Sequence, residues 1–477
     1  MRDYSLYDVV VVGAGLSGSE AALQCAASGL SVALFEMRPS MSSPAHHGDG
    51  AAELVCSNSF KSDDPTTAAG LLKRELALMG SRLLEVAYRF RVPAGSALAI
   101  DRERFSEEIT ELLNREDRID FIREEFTDLQ KAAEQTPVIV AAGPLVSEAL
   151  AKSLGSYTGA SLFFYDAAAP IVSAESLDGS RVFAASRYGK GAGDDYLNIA
   201  LDRDEYDVFY HELISARRVH DKVFEQSDFF NACQPVEEIA RKGYDALRYG
   251  ALKPVGIDDP RTGRWPFALV QLRCETVAKQ AYNLVGFQTN LTWPEQKRVF
   301  SLLPGMGDAR FERYGVMHRN TFVDAPRVQN IDLSLKAEKN IFLAGQIAGT
   351  EGYTEAIASG QLCALNVIRR IQGKKSVVLP SVTVLGSLME YAHSSDTIDY
   401  QPMHVNFGIM QPLVEKEKGK RARYKKYALR SMEELYKYLS TLGETFDFAS
   451  LTSRYNALKE EIESVPDEIR KRKDRVQ

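Results

Sequence analysis

The chain has 477 residues, 45% hydrophobic and 26% charged, a mixture that excludes a disordered chain and allows about three packing units or one large unit carrying an insertion. Lys and Arg number 58 against 65 Asp and Glu, a net charge of -7, so nonspecific coating of DNA is excluded and any nucleic-acid contact has to come from local basic patches. The cysteines number five and are scattered, without Cys-x-x-Cys or Cys/His ligand spacing, which argues against a disulfide scaffold or a metal site.

The N-terminal residues lack the basic and apolar layout of a signal peptide, and no stretch reaches the ~20 apolar residues of a membrane span. A cytoplasmic protein with no membrane partner is therefore expected. Tyr7 to Val12 is a continuous apolar run of the kind that forms a buried parallel strand. It leads into Gly13-Ala14-Gly15-Leu16-Ser17-Gly18 and a helical pattern from Ser19 to Ser28. A second strand, Ser31 to Phe35, ends at Glu36, where a dinucleotide-binding unit carries the carboxylate for a ribose hydroxyl. Gly13 permits the tight turn, Gly15 admits a pyrophosphate to the backbone, and Gly18 lets helix and strand approach. The helix start adds amide donors and a positive dipole.

Pro137 to Gly143 and Asn340 to Gln346 read as two further buried strands ending in glycine, Gly143 and Gly345, and both are expected in the same sheet. The long intervening stretch, rich in Phe, Tyr and charge, reads as an inserted substrate domain. The expected organisation is a nucleotide-binding first part over 1–157, an insertion over 158–300, a return segment over 301–370 and a C-terminal segment over 371–477 with a basic helical tail. Within the last segment, 386–408 reads as loop-rich and Arg423 to Leu442 as a charged amphipathic helix. The basic tract from Glu415 to Lys426 is either a solvated helix face or a contact for RNA phosphates.

The glycine turn with Glu36, the strand near Gly143 and the late Phe-x-x-Ala-Gly segment are similar to the α/β Rossmann fold of glutathione-reductase-type FAD proteins, here with an inserted α+β domain. More specific strings follow: Ala52-Glu53-Leu54-Val55-Cys56-Ser57-Asn58-Ser59-Phe60, Gly70 to Leu76, Val92 to Arg102 and Ser186-Arg187-Tyr188-Gly189-Lys190-Gly191. To these add Cys233-Gln234-Pro235-Val236-Glu237, Gly250 to Gly256, Gly286 to Leu291, His318 to Phe322, Glu351-Gly352-Tyr353 and Tyr400 to Gly408. Together they resemble the folate- and FAD-dependent tRNA (uracil-5-)-methyltransferase family, over most of the chain up to about residue 410. Gln271-Leu272-Arg273-Cys274-Glu275-Thr276 departs from that family's pattern, which has an amide after the arginine and then an acid-Asn pair.

The resemblance implies transfer of a one-carbon unit from 5,10-methylenetetrahydrofolate to C5 of an RNA uridine, with reduction to methyl by FAD that NADPH or NADH refills. The T-loop uridine of tRNA is the expected substrate and large-subunit rRNA the alternative; an FAD-stabilised RNA-binding protein without turnover is the alternative of another class. A disulfide-acting flavin reductase would need a paired-cysteine motif that the sequence lacks. Uracil C5 becomes nucleophilic when a thiolate adds at C6. The resemblance assigns that role to Cys233, with Cys56 nearer the flavin as the other nucleophile or as an aid to C5 deprotonation. Cofactor contacts fall to Gly13, Ala14, Gly15, Leu16, Ser17, Gly18, Glu36, Gly143, Gly345 and Gln346. Substrate contacts fall to His318, Arg319, Arg187 and Lys253, and no metal role is assigned. Cys25, Cys274 and Cys363 read as packing residues, and His46 and His47 as a solvated loop able to close over the site.

Overall fold

The computed structural model describes residues 2–43, 45–159, 162–219, 234–394, 396–397, 400–415 and 417–467, without the side chains of 162–166, 318, 319 and 444. The first part contains β1 (Val9–Val12), α1 (Leu16–Ala27), β2 (Val32–Phe35), β3 (Ser59–Ser62), α2 (Ala68–Met79), α3 (Arg82–Arg89), β4 (Arg91–Val92), β5 (Ala97–Ile100), α4 (Arg102–Arg115), β6 (Ile119–Ile122), α5 (Leu129–Gln135), β7 (Val138–Val140) and α6 (Glu148–Thr158). There follow β8 (Leu162–Ala167), β9 (Ile171–Ser173), β10 (Val182–Ala184), β11 (Tyr196–Leu201), α7 (Arg203–Ser215), α8 (Val236–Arg241), β12 (Ala268–Cys274), β13 (Ala281–Leu284), α9 (Trp293–Phe300), β14 (Phe311–Arg313) and β15 (Met317–Phe322). The remainder holds α10 (Ala325–Val328), β16 (Ile341–Leu343), α11 (Tyr353–Ile371), α12 (Val384–His393), α13 (Lys420–Ser440) and α14 (Phe448–Ser464).

The four strands expected from their apolar runs share one parallel sheet with β6, in the order β16-β7-β1-β2-β6. Alternation sends Val9 and Val11 into a core with α1, α2 and α11, while Val10 and Val12 enter a second core with α5 and α6. Both faces are covered, as a parallel sheet requires. α1 lies so close to the turn that a Cβ on Gly18 would stand 1.8 Å from the Gly13 carbonyl oxygen.

The insertion forms a six-stranded antiparallel sheet, β10-β11-β12-β13-β9-β14, packed on α7, α8 and α9. β8 and β15 pair antiparallel as a ribbon leading into and out of it. A small β3-β5-β4 sheet carries the segment after Cys56.

The C-terminal helices pack on α2. The loop-rich reading of 386–408 is corrected at its start, because α12 covers Val384–His393. Its first amides are met by the Thr383 hydroxyl, 2.9 Å from Gly386 N, and by buried Glu75 of α2, which accepts from Val384 N at 2.7 Å and Leu385 N at 2.9 Å. Thr383 is a local start signal, whereas the Glu75 contacts come from a distant helix and leave none.

Candidate functional site

A cavity of about 310 Å³ opens at the carboxyl ends of β1, β2, β7 and β16, where open α/β sheets bind ligands. Gly13, Gly15, Leu16, Ser17, Glu36, Gly143, Gly345 and Gln346 all line it. Ala14 and Gly18 stand behind the wall: Ala14 N–H donates to Glu36 Oε2 at 3.0 Å and its carbonyl accepts from Ala52 N at 2.8 Å. Burial raises the Glu36 pKa, but hydrogen bonds and charge from Arg38 outweigh it and hold the carboxyl below its ordinary value.

Arg38 is itself buried. Its guanidinium reaches Glu36 and Glu53, each at 2.9 Å, and the Gly48 carbonyl at 3.0 Å. The sequence reading missed this bridge, for which the proximity of Arg38 to Glu36 was the one local hint. His46 also lines the cavity, and its Nδ1 is 2.6 Å from the Ser43 hydroxyl. Burial and the charge of Arg38 push its pKa down to about 4, so this imidazole is neutral near pH 7 and is not the solvated side chain expected. His47 is exposed and lines a second, larger cavity of about 1290 Å³ between α4 and the insertion. Glu53 borders both cavities.

Cys56 lines the first cavity, and its segment is held by contacts from several elements. The Tyr353 hydroxyl, at the start of α11, accepts from Cys56 N at 2.9 Å and Ser57 N at 3.1 Å. Burial, then the neighbouring Cys56, raises the Tyr353 phenol far above its ordinary pKa, so it stays protonated. Arg102 donates to the Leu54 carbonyl at 3.0 Å and pairs with buried Glu275 at 2.6 Å. Asn58, fully buried, donates to the carbonyls of Ile100 at 3.0 Å and Cys274 at 2.9 Å and accepts from Arg273 Nε at 2.7 Å. The Cys56 loop is thereby bonded to β12 of the insertion through the segment that departs from the family pattern.

Cys233 lies outside the described residues. The end of its string is anchored: Val236 N donates to the Gln288 carbonyl at 2.7 Å, and buried Glu237 accepts from Asn290 N at 2.7 Å and the Thr289 hydroxyl at 2.9 Å. Burial raises the Glu237 pKa to about 7. His318 and Arg319 sit in β15, opposite Asp166 and Tyr165 of β8, and their side chains lie outside the described atoms. The next residue, Asn320, lines the first cavity. Arg187 donates to Gln271 Oε1 at 2.7 Å, the Val255 carbonyl at 2.5 Å and the Lys253 carbonyl at 2.8 Å, which fixes the loop that presents exposed Lys253. Cys25, Cys274 and Cys363 are buried. No helix among the described residues is long and apolar enough to cross a membrane.

Residues 8–375 match the family described as Glucose inhibited division protein A. The methylenetetrahydrofolate--tRNA-(uracil-5-)-methyltransferase TrmFO of Geobacter sulfurreducens is 49% identical over 434 residues, 91% of this chain and 99% of that protein. The TrmFO of Acetivibrio thermocellus is 47% identical over 441 residues, 92% of this chain and 99% of its own length. Among solved structures, Aquifex aeolicus GidA superposes with a TM-score of 0.67 at 16% identity, covering 96% of this chain and 76% of that one, a likeness of fold. With glycine turn, inserted sheet and Cys56 loop placed as described, and with near-half identity over nine-tenths of its length, the chain belongs to the TrmFO family of methylenetetrahydrofolate--tRNA-(uracil-5-)-methyltransferases.

Proposed function

We propose that the protein makes 5-methyluridine in tRNA, taking the carbon from 5,10-methylenetetrahydrofolate and the electrons from FAD that NADPH or NADH reduces. The observation that carries this reading is the single cavity in which the glycine turn, Glu36 and Cys56 meet. It works on the T-loop uridine, and so in the cytoplasm.

The donor set fits FAD. The first amides of α1 have no partner within the helix, Ser17 Oγ is buried without a hydrogen-bond partner among the described residues, and a Cβ on Gly15 or Gly143 would meet nothing within 4 Å. Gly13, Gly15, Leu16 and Ser17 suit the pyrophosphate, with Ala14 and Gly18 shaping the turn, and Glu36 suits a ribose hydroxyl. Gly143, Gly345 and Gln346 close the other side. When bound, FAD supplies the two electrons that complete the transferred carbon to methyl.

The chain's own work is nucleophilic and positional. The Cys233 thiolate adds to uracil C6, which places electron density at C5. C5 attacks the folate's methylene carbon as one of that carbon's two bonds to nitrogen opens, and the C5 proton passes to a base as the second carbon–nitrogen bond breaks and releases tetrahydrofolate. Once the carbon has been reduced to methyl, the sulfur departs as the C5–C6 double bond returns. Cys56, fixed by Tyr353 and Asn58, stands at the flavin side as the second thiol and takes the nucleophile's role should Cys233 not hold it. His318 and Arg319 serve the folate, and Arg187 with Lys253 the RNA, after the uridine has left its stack.

Incubation with isotope-labelled methylenetetrahydrofolate, NADPH and unmodified tRNA or large-subunit rRNA transcripts tests this. Labelled 5-methyluridine is expected in the tRNA T-loop. Label in rRNA alone would change the partner, and label in neither, with flavin bound, would leave an FAD protein without this turnover. Cys233→Ala with methylation unchanged would overturn the nucleophile assignment.

A further inference from the structure

Lys61 sits at an interruption of the β3–β5 pairing. Ser59 opposes Ala99 and Ser62 opposes Ala97, so Phe60 and Lys61 together face Leu98. In such a bulge the left-handed residue is typically glycine, yet Lys61 has a φ of 62°. A long side chain in that conformation is strained, and strain of this kind gathers where a side chain has to be aimed.

The bulge sends the two side chains apart. Phe60 enters the core against Phe105 and Tyr353, while Lys61 lines the cavity beside Cys56, Gly352 and Tyr353 with 41% of its side chain exposed. Its Nζ lies 3.4 Å from Oε1 of Glu355, a carboxylate only 1% exposed in the first turn of α11. Glu355 Oε1 also accepts from Val405 N at 3.2 Å, and its Oε2 has no hydrogen-bond partner among the described residues. A Cβ on Gly352 would stand 2.3 Å from that Oε2 and 2.9 Å from Lys61 Nζ, so the ion pair rests directly on the bare backbone at the start of α11. On the other side, buried Lys73 donates to the Ser62 carbonyl at 2.9 Å and holds the strand beyond the bulge. A surface ion pair has no need of strained backbone, a buried partner carboxylate and a glycine floor.

We propose that Lys61 is the cation that sets the electron affinity of the flavin, its ammonium placed by Glu355 at the amino end of α11 to stabilise the negative charge that two-electron reduction leaves on the pyrimidine ring. This rests on the FAD reading above. α11 contributes its own positive end at the same place, and Glu355 tempers the sum.

The test uses flavin-loaded protein, titrated with sulfite, which adds to oxidised flavin in proportion to nearby positive charge, and equilibrated with dyes of known potential. Lys61→Gly suits the backbone of the bulge, so loss of the charge is isolated from loss of the fold. Sulfite affinity is expected to fall about tenfold and the potential to drop by about 30 mV, the two-electron equivalent of that factor. Lys61→Arg restores both, and Glu355→Gln moves both the opposite way. Lys61→Gly with bound flavin and with affinity and potential unchanged overturns the proposal. If that variant loses flavin, Glu355→Gln decides, and an unchanged affinity and potential there overturns it equally. Parent protein that neither carries nor rebinds flavin overturns the FAD reading itself, and this proposal with it.

Discussion

The two walls of the first cavity are held in different ways. The glycine turn is shaped by bonds within one β-α-β unit, from Ala14 to Glu36 and from Gly18 packed on Gly13. The Cys56 wall hangs on partners far along the chain: Tyr353 lies 297 positions away and the Cys274 carbonyl that Asn58 holds lies 216 away from it. A nucleotide cradle of this kind forms as soon as its own unit folds. The thiol wall exists only once α11 and the insertion have docked, so the shape of the glycine turn and the placement of the thiol are separable properties of one cavity.

Variants on either wall break that separation or sharpen it. The largest effect belongs to Gly18→Val, whose branched side chain has to enter space already filled by the Gly13 carbonyl 1.8 Å from the Cβ position. Flavin is expected to be lost altogether, read as absorbance of the purified protein, together with a lower melting temperature. Retained flavin would show that the turn is not the cradle. Asn58→Ala is next: it leaves a buried guanidinium and two carbonyls without partners, a cost of about 4 kcal/mol in urea unfolding, and it is expected to speed alkylation of Cys56.

Glu237 gives a pH signature with a definite sign. Its folded pKa, about 7 against an ordinary 4.5, means that the folded state holds the proton more tightly. Its contribution is fully present below about pH 4.5 and is lost as pH rises through 7, about 3 kcal/mol in all. The stability of Glu237→Gln relative to the parent is therefore expected to improve by that amount between pH 4.5 and 7; a constant difference would refute the assignment. Tyr353→Phe is the mildest, since it removes one hydroxyl shared by two partly buried amides. It is expected to cost about 1 kcal/mol, to leave flavin bound and to raise the reactivity of Cys56 towards iodoacetamide.

The same contrast explains what the sequence made legible. The strand, turn, helix and Glu36 announce themselves because their signal is an apolar run and three glycines within one short stretch. Asn58, Arg273 and Tyr353 stand inside recognisable strings, but their roles are pairings across hundreds of residues. His46 reads as solvated in the sequence because nothing beside it there reveals its contact with Ser43 and the nearby charge of Arg38. The basic tract divides likewise: Arg421 pairs with Asp64 at 3.0 Å, Lys425 donates to the carbonyls of Glu463 and Val465, and Lys426 pairs with Glu417. Arg421 and Lys425 thus tie α13 to the segment before α2 and to the end of α14, while Lys426 pairs within the tract, a division that a charge count does not reveal. Lys61 was hidden for another reason, since a bulge has no composition of its own unless glycine marks it.

The order of strands in the parallel sheet has a consequence for synthesis. β7 at Val138–Val140 pairs with β16 at Ile341–Leu343, so about two hundred residues separate the two halves of one ladder. At roughly 5–20 residues per second the ribosome needs on the order of 10–40 s to deliver the second half. During that interval β7 is an open edge of valine and isoleucine, while the strands of the insertion emerge in an order that lets them pair among themselves. The nascent insertion therefore has time to fold first, and the arrival of β16 then closes the edge and brings Gly345 and Tyr353 to the cavity.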